Sequence, residues 1–206
     1  AMALICDAFA SSFSSLRLRT CDGAMNCRLW TVDCRLAFAA IDPEVDEDVL
    51  KAAITPPREL ALRLAVEKAQ AVSQEHPDAI VLGGDQLVSF ESKALGKPGT
   101  TANAIEQLLR LSGKPHDLIT AVAVVHQGTV ETHVDITRLW MRPLNRESVE
   151  RYVLADQPLD CAGAYKIESL GIALFEKIES RDHTAITGLP LLAITRLLRE
   201  RGFAIP

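Results

Sequence analysis

From Pro56 onward the apolar and polar positions follow regular periods. Over residues 57–73, Leu60, Leu62, Leu64, Ala65, Ala69 and Val72 recur near helical spacing, and the segment opens on proline. Residues 79–88 form a short apolar run, broken by Gly83-Gly84 and then by an acid. That pattern predicts a buried strand whose end delivers Asp85 into a cleft. Gly96-Lys97-Pro98-Gly99 predicts a turn, and residues 101–111 a helix stopped by Ser112-Gly113. A β-branched strand over 118–125, a turn at Gly128 and a second strand over 130–139 predict an antiparallel pair. Asn145 is placed to cap a helix running to Leu154. Residues 171–178 read as a strand, and 189–201 as a final amphipathic helix burying Leu191, Leu192, Ile194, Leu197 and Leu198.

Helices alternating with strands, one pair of them antiparallel, predict an α/β fold on a mixed sheet. The 206 residues are enough to bury a core without disulfides or a structural metal, and predict one domain over 1–206. Residues 16–35 carry neither helical nor strand periodicity and stay unassigned. No apolar run approaches the ~20 residues needed to cross a bilayer. The opening residues lack the basic start and long apolar run of a secretory signal, so the cytoplasm is the expected compartment.

The formal charge of −5 argues against nucleic acid as a partner but not against a small anionic substrate. A few cations focused in a cleft outweigh a mildly acidic surface. The cysteines, Cys6, Cys21, Cys27, Cys34 and Cys161, form no C-x-x-C pair, and no histidine precedes His76, so ordinary thiols are expected rather than a zinc site. The phosphate-binding G-x-x-x-x-G-K-[ST] loop and the G-x-S-x-G nucleophile turn are both absent.

What stands out is a set of acids and lysines that interrupt apolar or turn segments. Asp85 ends a buried strand, Lys68 lies on the preceding helix and Lys97 sits in the turn that follows. An acidic run, Asp42, Glu44, Asp46, Glu47 and Asp48, lies upstream, and Lys166 and Glu168 lie downstream. Phosphoryl chemistry uses these groups: carboxylate oxygens hold Mg²⁺, ammonium groups neutralise phosphate charge, and a carboxylate takes a proton from water. Each group also has an ordinary reading as a turn acid, a solvated lysine or an exposed loop. His116 and His183 are further possible substrate contacts, although loop histidines are more commonly just exposed.

The order and wording of seven segments resemble the Maf family. They are PEVDE (43–47), LRLAVEKAQAV (62–72), GGDQ (83–86), GKP (96–98), LSGKPHDLITAVAV (111–124), LDCAGAYKIESLG (159–171) and GLPL (188–191). The resemblance covers about residues 36–202. It implies a two-lobed Maf/ITPase-like α/β fold, with an elongated mixed sheet flanked by helices and a nucleotide in the cleft. It also implies a homodimer and a nucleoside triphosphate pyrophosphatase that cuts between the α- and β-phosphates. On that resemblance Asp85 matches the general base, Glu47 the other essential acid, and Lys68 and Lys97 the phosphate-contacting lysines. Glu47 and Asp85 are the implied metal ligands, with Mg²⁺ the expected cation and Mn²⁺ the alternative.

The subgroup acting on dTTP and UTP carries Asp-Thr at the catalytic acid, whereas the 7-methyl-GTP subgroup carries Asp-Gln and a later CAG-[SA]-[FY]-K-x-E segment. Asp85-Gln86 and Cys161 to Glu168 resemble the second, which implies substrate contacts from Gln86, Lys166 and Glu168. A carboxylate such as Glu168 suits the guanine N1–H and amine. The family's Ser/Arg phosphate loop has its nearest match in Ser14 and Arg17, with one extra residue before them. The stretch from Arg17 to Glu47 is longer than the family pattern, as a divergent segment or a reading-frame change would leave it. Loss of that loop is the expectation behind an alternative role, a catalytically weakened nucleotide-binding regulator of septum formation.

Overall fold

The structure, a computed structural model, describes residues 2–6 and 38–205. Ser14 and Arg17 lie outside the described residues. Its centre is a sheet of seven strands: β1 (Met2–Cys6), β2 (Phe38–Ile41), β3 (Ile80–Phe90), β4 (Lys93–Leu95), β5 (Pro115–His126), β6 (Thr129–Met141) and β7 (Phe175–Glu179). They run in the order β2-β1-β3-β5-β6-β7, with β4 also on β3. Among the described residues five α-helices accompany them: α1 (Glu47–Ala53), α2 (Pro57–Glu75), α3 (Thr101–Leu111), α4 (Arg146–Asp156) and α5 (Leu191–Glu200).

The α/β class is as expected, but within the sheet every pairing of described strands is antiparallel rather than mixed. The connection through α3 explains this. Ser89 pairs with Asp117 and Val81 with Val125, so β5 starts beside the end of β3. The chain between them returns to the same end of the sheet, and a parallel crossover is not made.

Two further differences have local causes. The hairpin joining β3 to β4 turns through Glu91 and Ser92, both with positive φ (51° and 63°). Two-residue hairpins favour Asn-Gly or Asp-Gly at such positions, so Glu-Ser gives no turn signal. Residues 170–174 form a short 3-10 turn, which delays the last strand to Phe175. The α4 expectation holds: Asn145 Oδ1 accepts the Ser148 amide at 2.9 Å.

Alternation along β3 and β5 divides the core. Val81 and Leu87, with Ile119, Ala121, Ala123 and Val125, face α2 through Leu60, Leu64, Ala65 and Ala69. On the opposite face, Ile80, Leu82, Val122 and Val124 pack against Ile194, Leu197 and Leu198 of α5. Further along, Val88, Phe90, Leu118 and Leu139 join a separate cluster with Leu108 of α3 and Val149 and Val153 of α4. The first two clusters cover the two faces of one end of the sheet and the third packs at the other end, so they make two lobes, and β3 passes from one to the other through Asp85, Gln86 and Leu87.

Candidate active site

Gly83 makes the site possible. A Cβ there would lie 2.3 Å from the Ala65 carbonyl oxygen and 2.6 Å from the Ala69 nitrogen, so α2 rests directly on the β3 backbone. The close approach brings Lys68, on the apolar stripe of α2, over Asp85, two residues further along the same face of β3. Lys68 is only 1% exposed. Its Nζ donates to Asp85 Oδ1 at 2.5 Å and lies 2.9 Å from Glu47 Oε1.

Glu47 arrives from a different element. The acidic run is not wholly loop: Asp46 caps α1, accepting the Asp48 and Val49 amides, and Glu47 is the first helical residue. Lys51, one turn on, holds Glu47 Oε2 at 2.7 Å. Sequence reading passed over Lys51, although its i,i+4 spacing from Glu47 carries the signal.

The electrostatics separate the two acids. Burial pushes Glu47 up, but Lys51 and Lys68 outweigh it and hold the carboxyl down at about 2. For Asp85, burial dominates and raises the carboxyl above its ordinary value; Lys68 opposes this and the neighbouring Glu47 charge adds to it. Burial disfavours the Lys68 ammonium, but Asp85 and Glu47 more than compensate and raise it. The surroundings thus favour the charged forms of Glu47 and Lys68 and the protonated form of Asp85.

A divalent cation fits this cluster. Asp85 Oδ2 is buried without a hydrogen-bond partner among the described residues, and a carboxylate oxygen in that state suits a hard cation. Among the described residues no group of three or more His, Cys, Asp or Glu side chains is placed to hold a metal. Two carboxylates supply only part of a six-oxygen shell, which leaves the remainder to water and phosphate.

The other expected residues are spread around this centre. Lys97 follows β4, exposed, two residues beyond Leu95, which pairs with Val88. It lines a cavity of about 250 Å³ with Pro98, Asn103, Gln107 and Arg110. Gln86 points to the face opposite Asp85, and its amide donates to Thr120 Oγ1 and the Ala185 carbonyl, both at 2.9 Å. Lys166 Nζ donates to the carbonyls of Asp156 and Gln157 at the end of α4, at 3.1 and 3.2 Å. Glu168 is exposed. His116 is not a loop residue: it is buried on β5 with Nε2 3.1 Å from Tyr165 Oη, and burial lowers its imidazole to about 4. His183 is exposed.

An ammonium clamped by two acids at the junction of two cores, with a cation-ready oxygen beside it, marks an α/β protein equipped for an anionic ligand and a metal together. The chain belongs to the Maf family: the family described as Maf-like protein matches residues 30–201. It is similar to the 7-methyl-GTP pyrophosphatase of Bdellovibrio bacteriovorus, at 49% identity over 80% of this chain and 86% of the relative. A protein of the same description from Xanthomonas campestris is 46% identical, over 83% and 88% of the two chains. Another from Aromatoleum aromaticum is 44% identical, over 84% and 89%. Among the described residues no helix is long and apolar enough to cross a membrane.

Proposed function

We propose that this protein is a metal-dependent nucleoside triphosphate pyrophosphatase, hydrolysing 7-methyl-GTP to the monophosphate and pyrophosphate. The observation that carries the reading is the Glu47–Lys68–Asp85 cluster, with Asp85 Oδ2 unpartnered among the described residues. The similarity to 7-methyl-GTP pyrophosphatases supports the substrate.

Asp85, its carboxyl raised by burial, accepts a proton from the water that attacks the α-phosphorus. Lys68 holds that carboxylate in place and keeps a positive charge beside the reacting phosphate. Lys97 meets the phosphates from its turn and neutralises charge as pyrophosphate leaves. Glu47 and Asp85 would hold the cation, which would polarise phosphate oxygens; Mg²⁺ is the first choice and Mn²⁺ the second. Glu168, exposed and negative, suits the N1–H and amine of a guanine base and the positive charge of a methylated one. The family resemblance supports a homodimer.

The test is pyrophosphate release by purified protein with Mg²⁺ across 7-methyl-GTP, GTP, dTTP, UTP and CTP. The expected result is preferred turnover of 7-methyl-GTP, abolished by Asp85→Asn. In ¹⁸O-water, label is expected in the monophosphate. Preferred turnover of dTTP or UTP would assign the other subgroup. Nucleotide binding without turnover would identify a binding protein.

A further inference from the structure

Among the described strands, Asp85, Gln86 and Leu87 of β3 are paired on one edge only. On one side they pair with Ala121, Thr120 and Ile119 of β5. On the other side β1 reaches only as far as Gly84, paired with Met2, and β4 begins its pairing at Val88. The catalytic acid therefore sits on a strand segment held by a neighbour on one edge only among the described strands.

The missing brace comes from the face behind Asp85. Gln86 Nε2 donates to Thr120 Oγ1 and the Ala185 carbonyl at 2.9 Å, and lies 3.3 Å from the Ile186 carbonyl. Thr120, buried and directly opposite Gln86 in the sheet register, donates its own hydroxyl to Ala185 at 2.9 Å. Backbone carbonyls only accept, so the amide orientation is unambiguous: nitrogen inward, both donors occupied. The turn receiving these bonds (His183–Thr187) is itself anchored. Asp182 accepts the Thr184 and Leu192 amides at 3.0 and 2.8 Å, tying the turn to the start of α5. Through α5 it is joined to the core behind the sheet.

We propose that Gln86 and Thr120 form a clasp that positions Asp85, fixing β3 to the 183–187 turn so that the carboxylate is held at Lys68. Both are positioning residues: neighbours on a strand face opposite ways, so Gln86 acts on Asp85 through the backbone they share. The inference rests on the role of Asp85 proposed above, and goes beyond it by giving Gln86 a task other than touching the nucleotide base.

The experiment compares Gln86→Met, Thr120→Val, the double variant and Thr120→Ser in the full-length protein. Hydrogen exchange over residues 84–88 and 183–189 is measured beside kcat and KM for 7-methyl-GTP. Misplacement of a catalytic group by about an ångström costs up to about a hundredfold, so kcat should fall about 10- to 100-fold in Gln86→Met and Thr120→Val. KM should stay within about twofold, the double variant should be no slower than the worse single one, and Thr120→Ser should restore most of kcat. Exchange should rise in both segments. Unchanged kcat in Thr120→Val, or a rise in KM alone in Gln86→Met, overturns the clasp in favour of direct contact with substrate. Variants that fail to fold overturn it in favour of a purely structural role. Should the wild-type protein hydrolyse no nucleotide, the catalytic reading fails by itself, and unchanged exchange then separately disproves the clasp.

Discussion

Lys68 Nζ and Asp85 Oδ1 are 2.5 Å apart, one on a helix and one on a strand, with almost no solvent reaching the lysine. The contact exists because Gly83 lets the helix lie on the strand backbone, and it leaves the second Asp85 oxygen buried and without a partner among the described residues. Removing Lys68 leaves two carboxylates facing each other without their shared cation. Lys68→Met keeps most of the side-chain length and loses the charge together with the hydrogen bonds of the ammonium. It is expected to destabilise the protein by about 3–5 kcal/mol, the usual cost of breaking one side of a buried pair. Urea denaturation and pyrophosphate release should both show the loss, with activity falling at least tenfold. Stability within about 1 kcal/mol of the parent would show that the pair contributes little.

Gly83→Ala tests the close approach directly. The new Cβ would overlap two backbone atoms of α2, which have no flexible end to move aside. Overpacking of this kind costs about 1–3 kcal/mol, and the helix must lift away from β3. Because Lys68 moves with the helix, kcat should fall more than stability alone explains. Gly84→Ala is the control: its Cβ would meet nothing nearer than 3.4 Å, a side-chain atom of Leu189. A Gly83→Ala protein with parental Tm and kcat would remove the glycine from this account.

Much of this arrangement could be read before folding was considered. The strand carrying Asp85, the helix carrying Lys68 and the Asn145 cap all follow from period and turn chemistry, but Asp85 lies in the middle of β3 and not at its end, because the strand continues through Leu87 and Val88 to Phe90. Burial of Lys68 was not legible, because a lysine on a helix is ordinarily solvated and only the spacing from Leu64 and Ala65 hints otherwise. The separation of Gln86 from Asp85 was legible in principle: adjacent strand residues face opposite sides. Grouping the two as one signature obscured that consequence. Thr120 gave no signal at all, since its task depends on register with Gln86 and on a turn 65 residues away.

The two acids predict a particular pH profile. Glu47 is held at about 2, so it stays ionised throughout the working range. Asp85 is raised, first by burial and further by the Glu47 charge, so the acid limb of kcat belongs to Asp85 and lies above an ordinary aspartate. Activity is lost as pH falls through that limb, because protonated Asp85 cannot accept a proton. In Glu47→Gln the like charge is gone, so the limb of the residual activity should move to lower pH. A limb that stays in place in that variant would assign it to another group. Glu47 also affects folding in the ordinary sense for a depressed acid. Its contribution is fully present above its unfolded value of 4.5 and is lost as pH falls toward about 2.

Cation binding can be tested without turnover. A ligand that binds only the folded protein stabilises it by about 2.7 kcal/mol at a hundred times its Kd, so Mg²⁺ alone should raise Tm in a concentration-dependent way. The donor expected to answer for it is Asp85 Oδ2, a buried oxygen with no hydrogen-bond partner among the described residues, so Asp85→Asn should abolish the shift. Lys68→Met gives the sharper contrast. Its ammonium occupies Asp85 Oδ1 and Glu47 Oε1, and without it two carboxylates face the cation with one more negative charge between them. That variant should bind Mg²⁺ more tightly than the parent while hydrolysing nucleotide more slowly, so affinity and rate move in opposite directions. Chelation should stop hydrolysis in the parent and lower its Tm only to the metal-free value. Weaker binding in Lys68→Met would mean that the lysine orders the carboxylates for the metal instead of competing with it.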